Sequence, residues 1–165
     1  MDIDGAALTV FDVNSAFQIN AAMPGSVTPG THTLTVRSAF GSAQAQVTVS
    51  AVSPGIFLVG NPPVAAITNA SYGLLGPTNP LSRGQTAIIW ATGLGAVTAR
   101  GGTNAPVTVV LNGVELAVQF AGLSGFTGLY QVNVGIPAST PPGLGIPLML
   151  KIGGQFSNTV PMAIQ

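Results

Sequence analysis

One short pattern occurs twice in this chain. Gln131-Val132-Asn133-Val134-Gly135-Ile136-Pro137 is echoed by Gln18-Ile19-Asn20-Ala21-Ala22-Met23-Pro24. Each stretch continues to a Pro-Gly pair, Pro142-Gly143 in one case and Pro29-Gly30 in the other. Alternating side chains suit a β-strand, whose faces repeat every two residues. Proline has no N–H to donate to a ladder, so it ends such a strand. Each stretch therefore reads as a strand, a proline-ended turn and a second strand. The expectation is one β module used twice, with the first copy shortened.

The rest of the chain admits little else. Its 22 glycines and 13 prolines leave no window with an unbroken helical apolar stripe. A mean hydropathy of +0.56 argues against disorder. An all-β fold of many short strands is the remaining class.

Charge is scarce. Charged residues make up 5% of the chain and the net charge is zero, against roughly 25% charged residues in an ordinary domain. This excludes an electrostatic footprint for nucleic acid. It also removes the repulsion that keeps monomers apart, so copies of the chain are expected to associate. The segment between Arg37 and Arg83 carries no charge but is broken throughout by Pro and Gly. No apolar run is long enough to cross a bilayer as a helix, and membrane insertion is not expected. Met1-Asp2-Ile3-Asp4 lacks the basic and apolar regions of a signal peptide. That suits a cytosolic chain and a mature piece whose leader is absent. Without cysteine there is no disulfide framework and no thiolate metal site.

Three segments are expected. Residues 1–52 form a truncated immunoglobulin-like β module, and 53–82 form a Pro/Gly-rich connector with short strands. Residues 83–165 form the complete β-sandwich. Asp4-Gly5 and Asn112-Gly113 are hairpin turns. Thr86 to Ala91 reads as a buried strand, with Trp90 in the core. Ala121 to Gly128 reads as a Gly-rich loop, and Phe156 to Ile164 as one closing strand. When the two copies are overlaid, Asp4–Val10 falls on Asn112–Val118. Nothing before Met1 corresponds to Gln85–Thr92, so the first copy lacks its opening strand.

Gly84 to Ile164 resembles an IPT/TIG immunoglobulin-like domain. The residues that carry the likeness are Ile88-Ile89-Trp90-Ala91-Thr92-Gly93-Leu94-Gly95, the Asn112-Gly113 hairpin and Val134-Gly135-Ile136-Pro137. Ser53-Pro54-Gly55-Ile56-Phe57, Ala91–Gly95 and Gly128–Val134 narrow it. Together they are similar to the Solibacter-type C-terminal module of secreted bacterial proteins. The resemblance implies export to the cell surface or beyond, and a sandwich fold. It transfers no catalytic residues.

No set of residues reads as an active site, and no cofactor or metal is expected. His32 is the only histidine, without sequence partners for a triad or zinc site. Ser124 misses the nucleophile-elbow spacing. Asp2, Asp4 and Asp12 lack calcium-loop spacing and read as a solvated edge. Lys151 and Glu115 would suit an internal isopeptide only with an asparagine beside them. Gln18, Asn20, Gln131 and Asn133 are repeat amides expected to satisfy backbone groups at a sandwich corner. Tyr72 and Phe126, in loops, are candidate ligand-contact aromatics. Ile56, Phe57, Leu58 and Val59 are candidate assembly contacts, able to act as a donated strand; the N-terminal strand is the other candidate donor. The connector folding back to complete its own sheet is the alternative.

The function expected is therefore that of an extracellular structural module. It would be a filament or surface-layer subunit, joined to copies of itself by strand complementation. The alternative is an accessory module that binds polysaccharide or protein. An enzyme is not expected.

Overall fold

A computed structural model describes residues 1–15 and 17–165. It is all-β and built from antiparallel strand pairs. The chain divides into two compact units, Met1–Ala51 and Val52–Gln165. The connector residues thus belong to the second unit.

In the first unit, β1 (Asp2–Ile3) turns through Asp4-Gly5 into β2 (Ala6–Ala7). A hairpin of β3 (Thr9–Ser15) and β4 (Gln18–Ala22) follows, then a long hairpin of β5 (Gly30–Ser38) and β6 (Gly41–Val49). The strand order is β2-β1-β5-β6, with β3-β4 as a separate pair. Asp4 and Gly5 both take positive φ, 47° and 85°. That is the twist a two-residue hairpin needs. Among the described residues, only Ile3 and Ala22 are buried apolar side chains in this unit. Every residue of β3 is exposed.

The second unit begins with short strands: β7 (Gly55–Ile56), β8 (Leu58–Val59), β9 (Val64–Ala65) and β10 (Ile67–Thr68). Next come β11 (Thr86–Thr92), β12 (Val107–Leu111), β13 (Val114–Ala117), β14 (Phe120–Leu123) and β15 (Tyr130–Gly135). The unit closes with β16 (Gly143–Ile152), β17 (Gln155–Phe156) and β18 (Val160–Ile164). One sheet runs β10-β11-β15-β14, with β7 also on β11. The other runs β13-β12-β16-β17, with β18 also on β16. Ala87, Ile89, Val132 and Val134 from the first sheet share one buried cluster with Val109, Leu111, Leu148 and Leu150 from the second. Asn112 and Gly113 repeat the positive φ pair of Asp4 and Gly5, at 49° and 79°.

The same order, hairpin then long strand then closing strand, recurs in both units. So does the pairing of β3 with β4 and of β14 with β15. They differ at the next position. In the second unit β11 pairs along the free side of β15, from Thr86–Gly135 to Ala91–Tyr130. In the first, β4 has no described strand there.

Several expectations change. Ala121–Gly128 is not all loop, because Phe120–Leu123 forms β14 on β15. Gly122 permits this by its close approach to Gly101: a Cβ there would sit 2.3 Å from the Gly101 carbonyl oxygen. Phe156–Ile164 is two strands, β17 and β18. The Ser157 hydroxyl turns inward between them, accepting from Leu150 N–H and donating to Asn158 C=O. Trp90 leaves the core face of β11: Ala87, Ile89 and Ala91 point inward, and alternation puts Trp90 on the opposite face, half-buried.

Neither expected donor strand is free. Ile56 pairs with Ala91 and lies in the second unit's core. Asp2–Ile3 is already paired with both β2 and β5. Folding back of the connector onto its own sheet is what is seen.

Candidate functional sites: an unpaired strand edge and an aromatic cavity

The first site is the free side of β4. The overlaid sequences make Ile19, Ala21 and Met23 the counterparts of Val132, Val134 and Ile136. Val132 and Val134 are wholly buried and Ile136 is 1% exposed, whereas Ile19 is 37% and Met23 43% exposed. Val10 and Val13, opposite Ala21 and Ile19 across the hairpin, are exposed as well. An apolar strip therefore lies beside an edge of β4 that, among the described residues, carries no paired strand, the usual template for strand addition.

The repeat amides behave alike in both units. Gln18 Nε2 donates to Asn20 Oδ1 at 3.0 Å, and Gln131 Nε2 donates to Asn133 Oδ1 at 2.9 Å. Expected to cap backbone groups, these amides instead bond each other along one face of their strand. That leaves the other face to Ile19 and Ala21, or to Val132 and Val134.

The second site is a cavity of about 500 Å³ in the second unit. Phe57, Val59, Leu74, Trp90, Phe126 and Leu129 supply most of its wall. The connector builds one side. Phe57 N–H donates to Trp90 C=O, Ala66 N–H to Phe57 C=O, and Trp90 N–H to Ala66 C=O, at 2.8–3.0 Å. Asn158 clasps this run: its Oδ1 accepts from Ile56 N–H at 2.7 Å and its Nδ2 donates to Ile56 C=O at 3.1 Å. Ser53 N–H donates to Gly93 C=O at 2.8 Å. Gly93 has φ 71°, and a Cβ there would fall 1.8 Å from the Ser53 carbonyl oxygen. Only glycine fits that approach.

Tyr72 is held at the rim. Asn69 Oδ1 accepts from Ser71 and Gly73 N–H, and Tyr72 takes φ 61°. Its ring lies 6.2 Å from Trp90, tilted by 32°. The polar atoms near the cavity already have partners. The Trp90 indole N–H donates to Thr68 Oγ1 at 3.2 Å, and the Ser124 hydroxyl to Leu129 C=O at 3.1 Å. The cavity thus offers an occupant apolar contact rather than an open hydrogen-bonding group.

The structure brings Phe57, Val59 and Phe126 together around Trp90, which sequence pattern had assigned to the core. Tyr72 joins through Trp90. Leu58 is exposed but off the cavity, and Ile56 is core. The signal for Trp90 was present in the period-two alternation of β11.

Several charged groups pair locally. Arg37 bonds the Asp2 carboxylate, which is buried rather than solvated. His32 Nδ1 meets Asp4 Oδ2 at 2.6 Å, and Asp4 Oδ1 accepts from Thr33 N–H at 2.8 Å. The Thr33 N–H and then His32 hold the Asp4 carboxyl below its ordinary range, while Asp4 raises His32. Burial raises the Tyr130 phenol, whose hydroxyl donates to Gly95 C=O. Lys151 Nζ meets Glu115 Oε1 at 2.6 Å on the surface, an ion pair. Among the described residues, no three His, Asp or Glu side chains converge as metal ligands.

Comparison of the chain with protein-family models, with curated proteins and with solved structures gives no match.

Proposed function

We propose that this chain is an assembly module, a subunit of a filament or surface layer outside the cell. Its first unit accepts backbone pairing along β4 from a second copy. The recurring strand order supports reading both units as immunoglobulin-like, the first without its opening strand. The observation that carries the reading is the contrast between Ile19 and Val132. The same residue pattern is open in one unit and sealed by β11 in the other.

β11 also indicates what the occupant of β4 looks like. Ile89 lies opposite Val132 and Ala87 opposite Val134. An occupant of β4 would run antiparallel, with small or branched apolar side chains facing Ile19 and Ala21. The chain's own β4, related by a two-fold axis, meets that description and closes a dimer, the building block from which a filament or layer would extend through a second contact. Backbone hydrogen bonds would supply affinity and the alternating side chains the register.

Sedimentation of the full chain over a dilution series tests this, with electron microscopy of the concentrated sample. Self-association that grows with concentration is expected. Ile19→Lys should weaken it, removing the share that pairs β4, without lowering the melting temperature, since Ile19 is partly exposed in the single chain. A sharp monomer boundary at every concentration would end the reading.

A second reading, an accessory module for polysaccharide, is favoured by the aromatic cavity alone. It predicts retardation of the chain on polysaccharide gels. The absence of an unspent donor in the cavity wall weighs against it.

A further inference from the structure

We infer that the aromatic cavity of the second unit is a socket for Phe40 of another copy. This goes beyond pairing at β4 and uses different residues. Phe40 stands at the tip of the β5–β6 hairpin and is fully exposed. Its stalk is the longest pairing among the described strands, in unbroken register from Gly30–Val49 to Ser38–Gly41. Ser38 Oγ accepts from Phe40 N–H and donates to Gly41 C=O, fixing the tip. An aromatic on a long, regularly paired stalk brings its backbone already ordered, so less freedom is lost on binding than from a loose loop.

The socket matches it in size and chemistry. No ionisable residue lines the cavity, and its polar atoms are already bonded to each other or to backbone. A volume of about 500 Å³ takes a phenyl ring and the small residues beside it, Ala39 and Gly41. Trp90 and Phe126 offer ring faces and edges for the tilted aromatic contacts that such rings prefer. Phe17 is equally exposed, but its hairpin carries two register shifts and makes a less rigid stalk. A knob on one unit and a socket on the other form a head-to-tail contact. Contacts of that kind do not close on themselves and extend into fibres.

Trp90 is the chain's only tryptophan, so its emission reports on the socket directly. The experiment follows Trp90 emission and acrylamide quenching of the full chain over a dilution series. Shielding of Trp90 should increase with concentration. Phe40→Ser should weaken the association by about tenfold or more, as loss of a buried aromatic anchor does. Leu74→Glu, at an exposed position of the socket wall, should do the same. Mixing the two variants restores one intact knob and one intact socket, and should restore Trp90 shielding at a one-to-one ratio. Ile19→Lys should leave the Trp90 response in place, which separates this contact from pairing at β4. Trp90 shielding that is independent of concentration, or unchanged by Phe40→Ser, would overturn the inference. Protection of Trp90 by a soluble polysaccharide in the Phe40→Ser variant would overturn it in favour of a ligand site.

Discussion

Ile19 and Val132 occupy matching places in one repeated pattern, between a glutamine and an asparagine that bond each other. Val132 sees no solvent, whereas more than a third of Ile19 is exposed. Their own strands do not explain this. Both lie in antiparallel pairs with the preceding strand, and both units contain a matching hairpin with two positive φ values. The difference comes from neighbours. β15 has β11 on its far side and a second full sheet across the core. Among the described residues, β4 has β3 on one side and no strand on the other. A small unit buries a smaller share of its surface than a large one, and a strand with a described neighbour on one side only is buried less still. The pattern therefore specifies a strand, and burial depends on what is laid beside it.

The sharpest way to break this comparison is to delete the same kind of side chain in each unit. Ile89→Ala removes a fully buried group and should cost about 2–5 kcal/mol in denaturant unfolding. Ile19→Ala should stay within about 1 kcal/mol under conditions that keep the chain monomeric. Equal costs would mean that the first unit is sealed after all. Gly93→Ala comes next. It forces a side chain into positive φ and against Ser53, and should cost about 1–3 kcal/mol from the backbone conformation alone. It should also release the connector, raising hydrogen exchange at Phe57 and Ala66 while sparing β5 and β6.

Asn158→Ala tests the clasp on β7 more locally. It leaves the Ile56 N–H and C=O without their side-chain partners, a loss of about 1–3 kcal/mol. Trp90 emission should shift to the red as the cavity wall loosens. A variant with wild-type emission and stability would show that the clasp contributes nothing.

The smallest effect belongs to the first unit. Asp4 raises His32 above its ordinary 6.5, so that stabilisation is complete below pH 6.5 and fades as pH rises through the raised value. The Thr33 N–H and His32 hold Asp4 below its ordinary 3.8. Its contribution is complete above pH 3.8 and fades as pH falls through the lowered value. The pair therefore favours the first unit most between those two values. Both groups meet solvent, so the effect is small. His32→Gln should flatten the alkaline side of the melting profile, and an unchanged profile would remove the pair from the account.

Much of the fold was legible in the residues. Asp4-Gly5 and Asn112-Gly113 announced their hairpins because positive φ at two successive positions suits few other pairs. The Gln-x-Asn echo announced two matching strands. β14 was hidden because Ala121-Gly122 reads as loop, and only its packing on Gly101 and β15 makes it a strand. The candidate site was half visible: Tyr72 and Phe126 were named, but Phe57 and Val59 were read as assembly contacts and Trp90 as core. Phe57 and Val59 meet Phe126 only because the connector folds back beside β11.

By itself the sequence determined an all-β chain, the positions of its turns and the alternation of its strands. These follow from local backbone sterics and a two-residue period, which a few neighbouring residues settle. Tertiary structure decided which copy of the pattern is buried, which face Trp90 shows and where Ile56 goes. Each of these depends on a strand that arrives from a distant part of the chain, and local pattern does not encode that arrival.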